Sequence, residues 1–154
     1  EISQYTNVGK AKTIGFELDT GIKIGNFEPY TTLTLLRREY QENGIKTTKS
    51  GTPKVTARYG VRYDGQYEGA ELRADIYAIS QSATESHDMV AEKPTITSYG
   101  GATTFNIAGG VSFGPQNAYS LDAGFYNITD KKYQNNGSIY EPGRHFAVKL
   151  NAKF

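Results

Sequence analysis

Arginine and tyrosine side chains border the longest polar stretches of this sequence. Guanidinium groups form charge-assisted hydrogen bonds with anions, and tyrosine rings stack on flat ligands. Such a set could bind an anionic or catecholate ligand; the same residue types could equally serve as interface anchors and turn residues. The candidates are Arg37, Arg38, Tyr40, Tyr99, Tyr133, Tyr140 and Arg144.

A histidine lies in the longest polar stretch, within the string SATESHDMVAEK. His87 could ligate haem iron. Because no second ligand is fixed in space, a solvated loop histidine is the alternative interpretation. The sequence has no cysteine, no zincin string and no nucleophile elbow, so we expect no enzyme activity, no bound cofactor and no metal site.

Composition narrows the classes of partner. The formal net charge of +1 comes from 17 basic and 16 acidic residues, which gives no polyanion-binding signal, so we expect no nucleic-acid partner. The mean hydropathy is -0.57, and no apolar run approaches the ~20 residues that a membrane-spanning helix needs. A β-barrel remains compatible with this polarity, because its strands alternate lipid-facing and lumen-facing residues.

The chain alternates apolar and polar residues in segment after segment, which predicts β-strands. The clearest is the last, whose predicted lipid-facing side carries Phe146, Val148, Leu150, Ala152 and Phe154. The predicted segments are about 1–8 (largely polar), 14–24, 27–40, 53–64, 70–79, 105–113, 119–125 and 145–154. On the polar side of two neighbouring segments lie Arg58, Arg62, Glu71, Arg73 and Asp75, where opposite charges can bond across strands.

The connections between these segments alternate in length. Short turns are predicted at 25–26, around 64–68 and at 114–117, and long polar loops at about 42–52, 81–102 and 128–143. Short turns at one rim and long loops at the other are typical of outer-membrane barrels, with periplasmic turns and extracellular loops. A soluble meander has no reason to sort its loops in this way.

Aromatic residues fall near both rims of the predicted wall. On the apolar side, the short-turn rim would carry Phe27, Tyr63, Phe113, Tyr119 and Phe154, and the long-loop rim would carry Phe105, Phe125 and Phe146. Two such belts are expected at the two interfaces of a bilayer. The sequence therefore predicts an all-β, antiparallel transmembrane β-barrel segment of about eight strands.

Three strings extend this prediction to a family. NITDKKY at 127–133, EPGR at 141–144 and NVGKAKTIGFELD at 7–19 resemble, in order and spacing, the carboxy-terminal part of TonB-dependent outer-membrane receptors. The resemblance implies a barrel of about 22 strands in the bacterial outer membrane, occluded by a plug domain. It also implies TonB-driven uptake of a ferric siderophore, haem or a similar scarce nutrient, so that iron would belong to the transported ligand.

We expect residues 1–154 to be the carboxy-terminal portion of such a barrel. The sequence shows neither a plug nor a TonB box, so contacts with the plug, the other strands and the TonB complex would involve regions outside these residues. The remaining partners would be the outer-membrane bilayer and a small-molecule metal chelate. The alternative is a complete eight-stranded small outer-membrane protein with a structural or adhesion role.

Overall fold

The computed structural model describes residues 9–42, 45–47, 52–88, 95–135 and 139–153. Within these ranges the protein is all-β, apart from a single 3₁₀ turn at Pro115–Asn117. No helix in the described part of the chain is long and apolar enough to cross a bilayer. The strands are β1 (Gly9–Gly21), β2 (Phe27–Glu42), β3 (Ile45–Thr47), β4 (Val55–Tyr67), β5 (Ala70–Gln81), β6 (Thr84–Asp88), β7 (Thr95–Tyr99), β8 (Ala102–Phe113), β9 (Tyr119–Tyr126) and β10 (His145–Ala152).

The main sheet is an antiparallel meander in the order β1-β2-β4-β5-β8-β9-β10, with the short β3 also paired to β2. This confirms the predicted all-β, antiparallel class. Among the described residues β1 and β10 are the two edges of the sheet and do not pair with each other, so the sheet is open. The predicted polar strand at 1–8 lies outside the described residues.

Two of the predicted loops contain strands. Within the stretch predicted as a loop at 81–102, β6 and β7 pair with each other in antiparallel fashion, and His87 lies opposite Ile96. The stretch predicted as a loop at 42–52 includes β3, which pairs with the end of β2. These segments are largely polar, apart from Ile45 and Ile96, and lack the alternation on which the prediction relied, but their backbones still pair with a neighbouring strand.

One predicted turn is displaced. The alternation of β4 continues past Asp64 to Tyr67, and the connection to β5 is the two-residue turn Glu68–Gly69 rather than 64–68. Both turn residues have positive φ, 48° at Glu68 and 82° at Gly69, as two-residue hairpins of the favoured hand require. The strands on this side therefore extend further towards the short-turn rim than predicted.

The main sheet exposes its apolar side chains and buries polar ones, which is the inverse of the burial in a water-soluble protein. On one side, the apolar face, large side chains are exposed, as at Phe146 (76%) and Leu150 (77%). On the other side, the polar face, Tyr30 is 4% and Asn106 5% exposed. In water, an apolar surface of this extent would be a strong association site. The arrangement is that of a wall with hydrocarbon on one side and a polar interior on the other.

The strand register gives the tilt of this wall. The last apolar residue before the long-loop rim changes from strand to strand: Ile14 in β1, Leu35, Val55, Ala78, Phe105, Phe125 and finally Phe146 in β10. Pairing places Phe146 at the level of Val61 and Pro29, and the Pro29 carbonyl accepts the Ile22 N–H. The apolar border therefore moves by the eight residues from Ile14 to Ile22 across the sheet.

This displacement can be converted to an angle. Eight residues span about 26 Å along a strand, and the six spacings between the seven strands span about 29 Å across them. A border that is level with the membrane then requires strands tilted by about 40° from its normal, within the ~35–45° of transmembrane barrels. Register and side-chain pattern together thus describe a tilted transmembrane wall.

Aromatic rings mark both borders of the apolar face. Near the short turns, Phe27 lies 5.1 Å from Tyr63 and Phe113 lies 5.7 Å from Tyr119, measured between ring centroids. At the long-loop border, Phe125 is directly opposite Phe146. Val148, Leu150 and Ala152 continue the exposed apolar face along β10, whereas Phe154 lies outside the described residues.

Leu150 and Asn151 are adjacent residues that test the assignment of the two faces. We expect Leu150→Arg to lower the free energy of unfolding by ~2–4 kcal/mol, because arginine would lie in mid-membrane hydrocarbon. Asn151→Arg should have a much smaller effect, since Asn151 lies on the polar face and donates only to the Ser120 hydroxyl. Denaturant unfolding in phosphatidylcholine vesicles measures both, and equal costs would contradict the assignment.

Candidate functional site

The centre of the polar face is a hydrogen-bonded cluster contributed by three neighbouring strands. The Tyr30 hydroxyl lies 3.0 Å from both carboxylate oxygens of Asp75 and accepts a 3.0 Å bond from Arg58 Nε. Arg58 Nη2 also donates to Asp75 Oδ2 at 2.8 Å. The Asp75 side chain is 19% exposed, so its negative charge is partly desolvated and satisfied by these donors.

Aromatic rings extend the cluster on both sides. The Arg58 guanidinium lies over the Tyr77 ring at 3.9 Å from its centroid, and the Arg62 guanidinium lies over the Tyr30 ring at 3.8 Å. Arg62 also pairs with Glu28 at 3.4 Å. Both arginines are therefore held by a carboxylate and by a ring, which fixes their orientation. We call Glu28, Tyr30, Arg58, Arg62, Asp75 and Tyr77 the wall cluster.

A third ion pair crosses the polar face nearer the short-turn rim. Arg73 Nη2 donates to Asp122 Oδ1 at 2.9 Å, and Nη1 donates to the Ser112 hydroxyl at 2.7 Å. Gly110 lies between the strands of this pair, and a Cβ there would overlap the Asp122 carboxylate. Small residues thus leave room for the long side chains to lie flat across the sheet.

Beside these ion pairs the polar face is shallow. A depression of about 490 Å³ is bordered by charged residues and floored by small ones; its lining includes Arg62, Asp64, Arg73, Asp75, Ala108, Gly110, Asp122, Gly124, Tyr126, Ala147 and Lys149. Within the described residues, no group of three or more His, Cys, Asp or Glu side chains could hold a metal ion. The geometry offers a polar, concave contact surface.

The sequence predicted which charged residues lie on the polar face, but it did not predict which of them form ion pairs with each other. Arg62 and Asp75 are directly opposite in the register, yet Asp75 bonds Arg58, two pairs away. Tyr30 and Tyr77 were not singled out at all. Their signal was present, because both occupy polar-face positions in the two strands that flank β4, whose own tyrosines lie on the apolar face.

The long-loop rim after β9 is organised by Asn127, which is 4% exposed and has φ 48°. Its Oδ1 accepts the Lys131 N–H at 2.8 Å, and its Nδ2 donates to the carbonyls of Lys131 (3.0 Å) and Pro142 (3.2 Å). Its own N–H donates to Asn106 Oδ1 at 2.9 Å. A single amide side chain thus joins the exit from β9 to the segment that enters β10.

Asp130 makes the second connection between these segments. The Arg144 N–H donates to Asp130 Oδ1 at 2.9 Å, and this bond holds the pKa of the Asp130 carboxyl below its usual value. A Cβ at Gly143 would overlap the same carboxylate oxygen. The strings at 127–133 and 141–144 are therefore two halves of one bonded unit, which we call the rim clamp.

The rim clamp is bonded to the β6–β7 pair. The Thr84 hydroxyl donates to the Asn135 carbonyl at 2.9 Å, and Gln81 Nε2 donates to Asn135 Oδ1. Asn135 in turn donates to Glu141 at 3.0 Å. Hydrogen bonds thus connect the loop after β9 to the connection between β5 and β8. We call these two segments the joined region of the long-loop rim.

Four predicted ligand residues lie in this region. Tyr99 ends β7 opposite Thr84, and Tyr133 is half-buried, with burial followed by the Glu141 carboxylate raising the pKa of its hydroxyl. Tyr140 is 62% exposed, and Arg144 is exposed with its N–H engaged in the rim clamp. Their role in ligand binding stays a prediction.

The other predicted ligand residues lie elsewhere. Arg37 pairs with Ile14 on the apolar face, whereas Arg38 pairs with Thr13 on the polar face, because β2 continues through both residues. Their strand is four strand spacings, about 19 Å, from β9. Tyr40 is placed in β2 opposite Ala11, and His87 in β6, but both side chains lie outside the described part of the structure.

The comparisons with known proteins agree with this architecture. Residues 1–128 match the family model described as TonB dependent receptor-like, beta-barrel. No curated protein matches the chain. The matched part includes the strands that carry the wall cluster and ends just after the first residue of the rim clamp.

Asp75→Ala tests the wall cluster, because it leaves the Arg58 guanidinium and the Tyr30 hydroxyl without their shared acceptor. We expect the free energy of unfolding of the protein to fall by about 1–3 kcal/mol. Asp64→Ala, on the same face but with no described side-chain bond, should change it by less than about 0.5 kcal/mol. Denaturant titration in lipid vesicles measures the difference, and matching values would show that the cluster contributes no stability.

Asn127→Ala tests the rim clamp. The substitution removes three side-chain hydrogen bonds and puts alanine at a positive φ, so we expect residues 127–144 to open more often. Limited trypsin digestion should then cleave after the exposed Lys131 and Lys132 several-fold faster than in the unsubstituted protein. Asn151→Ala, which removes one exposed bond, is the matched control, and unchanged cleavage of the Asn127 variant would refute the clamp.

Proposed function

Since the chain belongs to the TonB-dependent receptor-like β-barrel family, we propose that it forms part of the wall of an outer-membrane transporter for a ferric siderophore, haem or a similar scarce nutrient. Members of this family are transporters rather than enzymes, and they reside in the outer membrane. The observation that carries the proposal is the inverted burial of the sheet, with large apolar side chains exposed on one face and polar side chains buried on the other. A soluble sheet would bury the face that is exposed here.

The open sheet supports a larger barrel over the small-protein alternative. A complete eight-stranded barrel would need the largely polar segment 1–8, which lies outside the described residues, as the lipid-facing strand between the separate edges of β1 and β10. In the proposed transporter, β10 pairs with a strand from outside residues 1–154. The plug domain and the TonB complex are the further partners of that transporter.

The ligand site of the proposal lies on the joined region of the long-loop rim. Tyr99, Tyr133, Tyr140 and Arg144 supply flat rings and a guanidinium there, and the rim clamp holds the segment that bears three of them. An iron chelate with aromatic or anionic oxygens suits both kinds of contact. Arg38 lies on the polar face in β2, four strand spacings from β9, while Arg37 faces the opposite side.

The wall cluster has a separate role in the proposed transporter. Its arginines and carboxylates are already paired, so they present fixed dipoles and ring faces rather than free charges. Such a surface suits a folded polar partner that docks and undocks without reorganising the wall. We propose that this partner is the plug domain.

Tyr140→Ala in the full-length receptor tests the ligand site. With a ferric tris-catecholate or with haem as the probe, we expect affinity to fall about two- to tenfold, as the loss of one aromatic stack predicts. Tyr67→Ala is the matched control, because Tyr67 is similarly exposed (66% against 62%) but lies at the short-turn rim. Calorimetric titration of the purified receptor in detergent measures both.

Cellular uptake tests the transport function itself. Cells that depend on the full-length receptor should accumulate iron from one of these probes, and accumulation should stop when TonB is removed. Binding of neither probe, together with TonB-independent growth, would contradict the proposed substrate class. Equal losses of affinity in the Tyr140 and Tyr67 variants would contradict the location of the site.

A further inference from the structure

The apolar face carries a small group of charged side chains in one place. Register puts Lys10, Lys12, Arg37 and Glu39 on the same side as Ile14 and Phe16, at the long-loop ends of β1 and β2. Among the side chains that the structure describes on this face of the main sheet, these are the charged ones. We call Lys10, Lys12, Arg37 and Glu39 the rim charge group.

The tilted apolar border gives the depth of this group. Lys12 is two residues beyond Ile14, and Arg37 is two residues beyond Leu35, so each lies one side-chain step outside the border. One step is about 6.6 Å along a strand, or about 5 Å along the membrane normal at a tilt of about 40°. The group therefore lies at the depth of the lipid headgroups, immediately above the hydrocarbon.

The ion pair within the rim charge group does not use all of its cationic hydrogen-bond donors. Arg37 Nη2 pairs with Glu39 Oε1 at 2.8 Å, and the Arg37 side chain remains 70% exposed. A guanidinium has five N–H donors, so this one pair leaves donors free for a second acceptor. Lys12 lies opposite Glu39, and three cations against one carboxylate give the group a net charge of +2.

A shallow depression is present at the centre of the group. Lys12, Ile14, Arg37 and Glu39 line about 200 Å³ on the apolar face. Its mouth is cationic, and the adjoining surface towards mid-membrane, at Ile14 and Phe16, is apolar. This combination matches an amphipathic ligand with an anionic headgroup above an acyl chain better than it matches a freely soluble anion.

We propose that the rim charge group binds the phosphate of a lipid headgroup in the outer leaflet. The proposal rests on the proposed function only in placing the sheet in the outer membrane with its long loops outside. Lys12 and Arg37 contact the phosphate, Lys10 adds long-range attraction, and Glu39 holds the Arg37 guanidinium in place. The lipid acyl chains lie along Ile14 and Phe16.

The test uses the full-length receptor in phosphatidylcholine nanodiscs that contain phosphatidic acid. Diacylglycerol with the same acyl chains replaces phosphatidic acid in a parallel series, so the two lipids differ in the phosphate. Native mass spectrometry of the released receptor gives the fraction that retains each lipid. We expect phosphatidic acid to be retained in preference to diacylglycerol.

The double variant Lys12→Gln/Arg37→Gln should weaken retention of phosphatidic acid by about fivefold for each cation removed, as expected for basic residues near a membrane surface. Lys23→Gln/Lys149→Gln is the matched control. It removes the same charge from the short-turn end and from the polar face, and it should leave retention unchanged. A variant with Lys12→Arg keeps the charge and should retain the lipid.

The proposal is overturned by equal loss in both double variants, or by equal retention of phosphatidic acid and diacylglycerol by the unsubstituted receptor. Membrane insertion is scored first by heat-modifiable migration on gels. An unsubstituted receptor that does not insert refutes the proposed function, whereas an inserted receptor without phosphate preference refutes the lipid site alone. A double variant that inserts and retains phosphatidic acid normally also refutes the lipid site.

Discussion

Hydrocarbon cannot hydrogen-bond a peptide group, and this constraint shapes the whole sheet. Each strand must satisfy its N–H and C=O groups on both neighbours, so the antiparallel ladder runs without interruption from β1 to β10. Successive side chains of each strand point to opposite faces of the sheet, so that apolar residues face lipid and polar residues face the interior. The tilt of about 40° follows, because strands of these lengths keep their apolar residues within one level band only when they are inclined.

The polar face meets the opposite requirement, since its charged groups must be paired where water is restricted. Asn106 shows how the paired wall is continuous with the rim: it lies beside Tyr77 across the β5–β8 pair and accepts the backbone N–H of Asn127. The wall cluster and the rim clamp therefore meet at one buried amide. Any distortion of the rim that moves Asn127 has to break this bond or displace β8, which keeps the loop after β9 in a defined position relative to the wall.

Period-two alternation was sufficient to predict the faces of the seven long strands, because one face of each is apolar and register cannot slip without exposing it to the wrong solvent. The same reasoning failed where both faces are largely polar, as in β6 and β7, and where a strand continues through glycine, as at Gly65 in β4. Diagonal ion pairs such as Arg58 with Asp75 could not be predicted, because the two residues are not directly opposite each other in the strand register. They depend on side-chain length and on the space left by small neighbours such as Gly60. Family strings located the rim clamp, but only the structure shows that Asn127 and Asp130 each bond the second string.

Arg37 and Arg38 show why adjacency in sequence is weak evidence for a shared site. Had the chain entered a loop at residue 36, both guanidiniums could have turned to one ligand at the mouth. Because β2 continues to Glu42, the two side chains must leave the sheet on opposite sides, one into the membrane interface and one towards the interior. How far a strand continues beyond its apolar border therefore determines whether a charged side chain at the rim faces the membrane interface or the interior. In this wall, the long β1–β2 pair carries charge to the lipid headgroups, while the loops beyond β5 and β9 carry tyrosines to the mouth.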